Sequence, residues 1–435
     1  MTWDTAFWIY TAGLVGLLLA GVPIGTAMGA IGILGITMNG GLRLWPSLGD
    51  IVWNTANSFT LTALPLFVLM GEIILRSGMS RRLYTGLSVL LNAVPGRLAQ
   101  SNIVACAVFS AISGSSTATA LTIGTVALPE MRARGYCDEL TLGTLTGGGA
   151  LGNLIPPSIF MLVYGAVVQE SVIDLFVASL VPGVLATLMF MAYVAVRVAV
   201  APELVPPRAP RHTWGQIAVA IGQCAPTLLL IVSVIGGMYF GVMTPTEAAA
   251  VGCGLTVVMA AAHRELSWAG LYGALKTTIA VSGVVMFIII NGQILGFAVV
   301  HAGIAREMAR NLLDAGLGPF AFFTALFILY LVLGTFLDGV SMMLLTVPVI
   351  YPTLKAMGFD GVWFGVILVI QSELAQLSPP IGLNLFAVQS VARDVTMAEV
   401  AWASLPYAVM LSVLSFLLYW FPELALAPVA AMRGR

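Results

Sequence analysis

Long apolar stretches separated by short polar turns run along almost the whole chain. A helix that crosses a membrane needs about 20 apolar residues, at roughly 1.5 Å of rise each. On that criterion the pattern predicts spans near 6–22, 23–40, 50–76, 141–165, 175–197, 215–240, 245–262, 277–300, 362–390 and 400–421. The chain is therefore predicted to be an all-α polytopic membrane protein.

Two further apolar stretches, 98–129 and 319–352, are awkward as single crossings and long enough for two short helices each. Arginines lie on both sides of the first stretch, at Arg81, Arg82, Arg97, Arg132 and Arg134. Because basic residues favour the cytoplasmic face, both ends of this stretch are expected on that side. The pattern favours a re-entrant helical hairpin with its tip near "SGSS", 113–116, and a single kinked span is the alternative.

The chain also repeats itself. A shift of 223 positions places Pro129 on Pro352 and the pair Pro156-Pro157 on Pro379-Pro380 without a gap. Each unit has five predicted crossings, an odd number, so we expect the second unit to insert upside down. Inverted repeats with broken helices are typical of secondary transporters, whose sites lie where the repeats meet.

This repeat divides the chain into four parts. They are a first inverted repeat, a linker, a second inverted repeat and a C-terminal tail, at 1–200, 201–214, 215–425 and 426–435. The linker "APELVPPRAPRHTW" has four prolines together with Arg208, Arg211 and His212, which predicts a cytoplasmic location.

Composition agrees with a membrane setting. Of the 435 residues 59% are hydrophobic and 9% are charged, and the mean hydropathy is +1.01. Soluble proteins carry roughly a quarter charged residues. The net charge of −1 argues against a nucleic-acid partner, and four cysteines without a CxxC pair imply neither a disulfide framework nor a zinc site.

Polar residues interrupt the apolar pattern at equivalent places in the two repeats. In "TGGGALGNLIPP", 146–157, we expect Gly147–Gly149 to loosen the helix and Pro156-Pro157 to remove two N–H donors. The second repeat has "LGTFLDG" and "SELAQLSPPIGLN". Free backbone groups within a membrane must face a protein-lined or watery cavity. Sodium prefers oxygen ligands, so the free backbone carbonyls and the serine hydroxyls suit a sodium site. The positive ends of the half-helices suit a carboxylate.

Acidic residues deep in a membrane are costly and by default functional. Asp338 is predicted to bind sodium, with a protonated residue or a helix cap as the alternatives. For Glu373 a functional role and a polar helix interface both stay open. Glu247, in "TPTE", has the pattern of a capping box and is predicted to be structural, and Glu72 is predicted to pair with Arg76.

The segments "SGSSTATALTIGTVALPEMRARGY", "GNLIPPSIFMLVYG" and "SPPIGLNLF" resemble the large membrane subunit of tripartite ATP-independent periplasmic (TRAP) transporters, in order and over most of the chain. The resemblance implies an elevator-type sodium symporter in a bacterial inner membrane, with sodium as the coupling ion and no organic cofactor. It also implies a separate small membrane subunit of about four spans and a soluble periplasmic binding protein. That protein would deliver an organic anion of the carboxylate, dicarboxylate or sialic acid type.

The same resemblance implies sites, carried over by motif. A first sodium site would comprise Ser113, Gly114, Ser115, Ser116, Gly152 and Asn153. A second would comprise Gly334, Thr335, Asp338 and Ser378. Candidates for contact with the solute are Ser116, Thr117, Asn153, Ser158, Gln376 and Asn384. The helices would break at Pro156, Pro157, Pro379 and Pro380.

Two other functions compete with this one. The first is a standalone sodium–dicarboxylate symporter of similar design that works without partner proteins. The second is an intramembrane serine hydrolase, suggested faintly by "AISGSS". A serine nucleophile needs a histidine base within hydrogen-bond reach, and the three histidines His212, His263 and His301 fall at predicted span ends. We therefore expect no enzyme activity.

Overall fold

The computed structural model describes residues 2–207, 212–314, 316, 318–380 and 382–434, most of which are helical. The helices of the first half are α1 Trp3–Leu19, α2 Ile24–Gly40, α3 Pro46–Ala56, α4 Ala63–Arg76, α5 Met79–Leu90, α6 Leu98–Ser113, α7 Ser116–Ala133, α8 Asp138–Gly149, α9 Ile159–Val168 and α10 Val172–Val200. Those of the second half are α11 Trp214–Tyr239, α12 Pro245–Ala262, α13 Trp268–His301, α14 Ile304–Asp314, α15 Pro319–Gly334, α16 Gly339–Ala356, α17 Gly361–Gln376, α18 Leu383–Val391, α19 Met397–Trp420 and α20 Glu423–Met432.

Among the described residues, seven of these helices are long and apolar enough to cross a membrane. They are α2, α10, α11, α12, α13, α16 and α19. The prediction of a polytopic all-α membrane protein is confirmed at this level. The remaining apolar helices are shorter because the chain leaves helical geometry within several of the predicted spans.

The predicted span 50–76 is one such case. It is divided into α3 and α4, which meet at a bend of 52°. This stretch is therefore a broken span or a re-entrant loop and not one straight helix, and α3 is amphipathic and buries none of its residues. Its polar positions, such as Asp50 and Asn54, line an open cavity instead of following α4 into the protein.

Three helices lie where no helix was predicted. α5 and α14 are short and amphipathic, so a search for apolar stretches passes over them. The third, α20, covers most of the predicted tail 426–435. It packs against α10, where Arg433 pairs with the buried Asp174. Ala425 and Val429, one turn apart on α20, are buried, so one face of this helix packs against the rest of the protein.

The first residues of the predicted linker are hydrogen-bonded to the first half of the chain. Cys137 N donates to Leu204 O at 3.1 Å, and the Arg97 guanidinium donates to the carbonyls of Pro206 and Pro207 at 3.0 and 2.8 Å. Arg208 and Arg211, which contributed to the linker prediction, lie outside the described residues.

Two acidic residues have the structural roles that were predicted for them. Glu247 and Thr244 form a reciprocal capping box at the start of α12. Glu72 accepts a hydrogen bond from Arg76 Nε at 3.1 Å, one turn along α4. Both predictions are confirmed.

Helix positions in the second half follow those in the first. α7 begins at Ser116 and α16 at Gly339, and α8 begins at Asp138 and α17 at Gly361. Both pairs of starting residues are 223 positions apart, the shift that aligns the sequence with itself. A helix pair, a broken helix and a long closing helix therefore occur in the same order as α6–α10 and α15–α19.

The two halves exchange packing partners around their broken helices. α9 packs against α16, and α18 packs against α7, so the second segment of each broken helix lies on the helix pair of the other half. We call α6–α9 with α15–α18 the central unit. Beside it, α13 lies along α2 and α4, while α12 packs on α4 and α11 on α5. We call α1–α5 with α11–α14 the flanking unit.

Two ion pairs, at equivalent positions in the two halves, stabilise the packing of α18 on α7 and of α9 on α16. Arg132, at the end of α7, bonds to Asp394 after α18 at 2.9 Å and to Asp138 at 2.8 Å. Lys355, at the end of α16, pairs with Glu170 after α9 at 3.1 Å. Because Arg132 and Lys355 are also 223 positions apart, each half anchors the end of its hairpin to the other half.

Candidate functional site

The first hairpin tip lies where α6 ends at Ser113 and α7 begins at Ser116. Gly114 turns the chain in the left-handed region, at φ 57°, which glycine adopts without steric cost. Ser115 then caps α7 by accepting a hydrogen bond from Ala118 N at 3.4 Å. The polar stretch is therefore a break between two helices.

The interruption of the first broken helix lies after the glycine triplet 147–149 and not within it. α8 remains helical through Gly147–Gly149, and α9 begins at Ile159, so the expectation that this triplet loosens the helix is wrong. The glycines permit close packing instead, since a Cβ on Gly149 would lie 2.8 Å from Ala120 Cβ. The interruption falls between the two helices and contains Pro156-Pro157.

The first tip closes directly onto the first break. Ile159 N donates to Gly114 O at 3.4 Å, and a Cβ on Gly114 would lie 2.9 Å from the carbonyl oxygen of Pro157. A Cβ on Gly152 would overlap the backbone of Ser116. Only glycine at both positions allows the two backbones to approach this closely.

The second tip lies where α15 ends at Gly334 and α16 begins at Gly339. Asp338 caps α16, its Oδ2 accepting a hydrogen bond from Ser341 N at 3.1 Å. The Thr335 hydroxyl donates at 2.7 Å to a carbonyl in the last turn of α15. The helix-capping role considered for Asp338 is thus confirmed, and it occupies one of the two carboxylate oxygens.

The predicted members of the second sodium site are not joined to one another. Ser378 donates to the carbonyl of Leu374 at 3.0 Å. Within the described part of the chain, no hydrogen bond links Ser378 to Gly334, Thr335 or Asp338. The structure gathers the residues predicted for the first site more tightly than those predicted for the second.

At the centre of the molecule Glu373 joins the two halves. This α17 residue is fully buried. Its Oε1 accepts hydrogen bonds from Ser116 Oγ and from Asn153 Nδ2, both at 2.6 Å. Asn153 Nδ2 also lies 2.9 Å from Ser116 Oγ. The first tip, the first break and the second broken helix therefore meet at one carboxyl oxygen.

The other side of this carboxyl has unused hydrogen-bonding capacity. Among the described residues, no hydrogen bond of normal geometry reaches Glu373 Oε2 or the two polar atoms of the buried Asn384, although the Asn384 amide lies close enough to interact with this carboxyl. Gln376 Nε2 lies 3.5 Å from Oε1. The sequence contained one signal for this position, because Glu373 is the single charged residue in the apolar segment 361–376.

Two other solute candidates lie at the first tip and the first break. Ser158 is buried and caps α9, accepting a hydrogen bond from Met161 N at 3.3 Å. Thr117 is half-buried in the first turn of α7. No hydrogen bond joins either side chain to Ser116 or Asn153 within the described residues, and the solute role of Ser158 and Thr117 stays a prediction.

A cavity of about 700 Å³ lies away from the tips, between α3, α9, α13 and α16. Its polar lining includes Asp50, Asn54, Gln293 and Tyr351, and it contains none of the predicted site residues. Sequence reasoning missed it because the polar positions of α3 were absorbed into one predicted span.

Comparison with known proteins bears on the whole chain. The profile of a family described as "Tripartite ATP-independent periplasmic transporter, DctM component" matches residues 11–424. The C4-dicarboxylate TRAP transporter large permease protein DctM of Vibrio cholerae is 32% identical, over 95% of this chain and 97% of that protein. The sialic acid TRAP transporter large permease protein SiaM of the same organism is 31% identical, over 95% and 96%.

A third relative is the ectoine TRAP transporter large permease protein TeaC of Halomonas elongata, 29% identical over 96% of this chain and 97% of that protein. Among solved structures, the YdaH transporter of Alcanivorax borkumensis aligns with a TM-score of 0.62 over 88% of this chain and 90% of its own. At 14% sequence identity this likeness concerns the fold alone.

Proposed function

This chain belongs to the DctM component family of tripartite ATP-independent periplasmic transporters, and we propose that it imports a small organic anion together with sodium. Its relatives are named as transporter permease proteins. The chain is accordingly a transporter component and not an enzyme, which removes the serine hydrolase alternative.

One observation supports the proposal above the others. In a chain that is 59% hydrophobic, the first tip, the first break and the second broken helix place Ser116, Asn153 and Glu373 in one buried hydrogen-bonded group. Polar and ionisable groups at such depth are costly, and by default they mark a site for a solute or ion. Hard cations take oxygen ligands, and this site offers hydroxyl, amide and backbone oxygens.

In the proposed mechanism the two halves are inverted repeats and the central unit moves as one body against the flanking unit, as in an elevator. The exchange of α9 and α18 between the halves supports this, as do the Arg132–Asp394 and Lys355–Glu170 pairs. These contacts link the elements of the central unit to one another. Sodium binds at the two tips, and the solute lies between them.

Electrostatics explains why an anion needs sodium. Moving one charge through a potential of 100 mV is worth about 2.3 kcal/mol, so an inside-negative membrane opposes entry of a lone anion. One sodium ion per negative charge cancels this term, and each additional ion adds driving force. Sodium bound at the tips also screens the solute carboxylate from Glu373 and Asp338.

The proposed partners follow from the family. They are a separate small membrane subunit of about four spans and a periplasmic binding protein. A complex that receives its solute from a periplasmic protein lies in a bacterial inner membrane. Relatives named for C4-dicarboxylate, sialic acid and ectoine support a small organic acid as the solute class. The names "large permease protein" support a second, smaller permease chain.

The decisive experiment is reconstitution in liposomes with a candidate small subunit and a candidate periplasmic binding protein from the same organism. Uptake of labelled organic acids is measured with an inward sodium gradient and with choline in its place. We expect uptake to require sodium and both partners. Equal uptake in choline contradicts sodium coupling, and uptake of free solute by this chain alone indicates the standalone symporter.

Asp338→Asn tests the second sodium site. Asparagine caps helices as well as aspartate does, so the free energy of unfolding should stay unchanged while the charge is lost. We expect the half-saturating sodium concentration for uptake to rise by about tenfold, the effect of losing roughly 1.4 kcal/mol. Asp360→Asn is the matched control, because Asp360 also caps a helix, α17, but lies at the opposite end from the break. Equal sodium dependence in the two variants excludes Asp338 from the site.

A further inference from the structure

The hydrogen bonds of Glu373 determine which oxygen atoms remain available to a cation at the first tip. Asn153 presents one nitrogen and one oxygen on opposite sides of its amide group. The Nδ2 group of Asn153 donates to Glu373 Oε1 at 2.6 Å, so the nitrogen side of the amide faces Glu373. Asn153 Oδ1 therefore points away from Glu373, where it can act as an oxygen ligand.

The same carboxyl fixes the Ser116 hydroxyl. This group has one hydrogen to donate and two lone pairs to accept with. Its hydrogen goes to Glu373 Oε1 at 2.6 Å, and one lone pair takes the Asn153 Nδ2–H at 2.9 Å. One lone pair is left over. The residues present thus fit a cation, since Ser116 and Asn153 each direct a remaining oxygen site away from Glu373.

We infer that Glu373 is a positioning residue for the first ion site, which orients the Asn153 amide and the Ser116 hydroxyl so that their oxygens face a bound cation. This inference rests on the sodium coupling proposed above. Because Glu373 lies in the second half of the chain and both partners lie in the first, cation affinity at one tip depends on the other half being in place.

A buried neighbour provides a matched control. Ser372 precedes Glu373 on α17 and is equally buried, but its hydroxyl has no hydrogen-bond partner within the described residues. Substitution of either residue by alanine removes a buried polar group from the same turn. Only the change at Glu373 releases Ser116 and Asn153.

The test is equilibrium sodium binding by the purified chain in detergent, with no transport required. The thermal unfolding midpoint is followed as sodium replaces choline at constant ionic strength. For Glu373→Ala we expect the sodium concentration of half-maximal shift to rise about tenfold, because two oxygen ligands lose the hydrogen bonds that orient them. For Ser372→Ala we expect no change. An unchanged titration in Glu373→Ala, or an equal change in both variants, overturns the inference.

Failure of the proposed function gives a different result, because the wild-type chain itself then shows no difference between sodium and choline. If Glu373→Ala does not fold, Glu373→Gln provides the same test, since an amide at this position no longer forces Nδ2 of Asn153 toward it. A rise of about threefold in half-maximal sodium is expected there, and a titration identical to wild type contradicts the inference.

A double-mutant cycle separates positioning from general stabilisation. If Glu373 acts through Asn153, then Glu373→Ala should add less than twofold to the sodium defect of Asn153→Ala, because interacting residues are not additive. In reconstituted uptake the half-saturating sodium should rise while the maximal rate at saturating sodium stays within about twofold. Additive defects, or a lower maximal rate at unchanged half-saturation, indicate a merely structural role.

Discussion

The two broken helices share a sequence plan but end at different points. α8 ends at Gly149, whereas α17 continues past the equivalent Ser372 for one more turn, to Gln376. The equivalent turn of the first half contains Gly152 and Asn153, which disfavour helix, whereas Glu, Leu, Ala and Gln in the second half favour it. Glu373 lies in this additional turn, which places its carboxyl at the meeting point of the halves.

The tips differ as well. The first tip is hydrogen-bonded to its own break, and Pro156 and Pro157 are buried beneath it. In the second half Pro379 and Pro380 are exposed, and the side chain of Phe336 at the tip is 64% exposed. Repeated sequence thus produces one closed tip and one open tip. In the transport cycle proposed above, the open second tip is the one with room to move when solute binds.

Exchanging equivalent residues between the tips should give the largest effect. Position 114 is glycine, and the equivalent position 337 is leucine. Gly114→Leu adds a side chain in the left-handed region against the Pro157 carbonyl, and we expect a loss of roughly 3–5 kcal/mol in the free energy of unfolding. Leu337→Gly removes a partly buried side chain without creating a clash and should cost about 2 kcal/mol. Denaturation in detergent measures both, and similar losses in the two variants would show that the tips do not differ in closure.

A second substitution tests how tightly the first tip and break are packed. Gly152→Ala brings a methyl group into the Ser116 backbone, which should cost about 1–3 kcal/mol through overpacking. The control is Gly254→Ala in α12, where a Cβ would meet nothing within 4 Å, and stability should change by less than about 1 kcal/mol. Sodium-dependent uptake should fall in Gly152→Ala and persist in the control. An equally stable and active Gly152→Ala would contradict direct contact between the two backbones.

The smallest effect is expected at the ion pair between the halves. Hydrogen bonding from Arg132 lowers the pKa of the Asp394 carboxyl, so the pair stabilises the fold above the ordinary aspartate pKa of 3.8 and is lost as the pH falls through the lower folded value. Because Asp394 is exposed, Asp394→Asn should change the unfolding midpoint only slightly at pH 7. The difference from wild type should vanish in acid and in high salt. A difference that persists at pH 2 would indicate a role other than the ion pair.

Several features were predictable because they depend on local chemistry. Gly114 with neighbouring serines marks a break, "TPTE" marks a capping box, and a proline pair ends a helix. The paired breaks also follow from aligning the chain with itself. In contrast, the glycine triplet 147–149 was misread, because glycine serves equally well for bending a helix and for close packing, and only the neighbour decides which.

The sequence by itself determined the membrane setting, the duplicated plan, the presence of a break in each half and the family, since all of these depend on residue type and spacing along one chain. Tertiary structure decided which tip closes, which helices cross over to the other half, and that Glu373 meets Ser116 and Asn153 across more than 200 positions. The physical reason is that hydrogen bonds and ion pairs depend on orientation and on distances of about 3 Å. Such distances arise only after the apolar surfaces have packed.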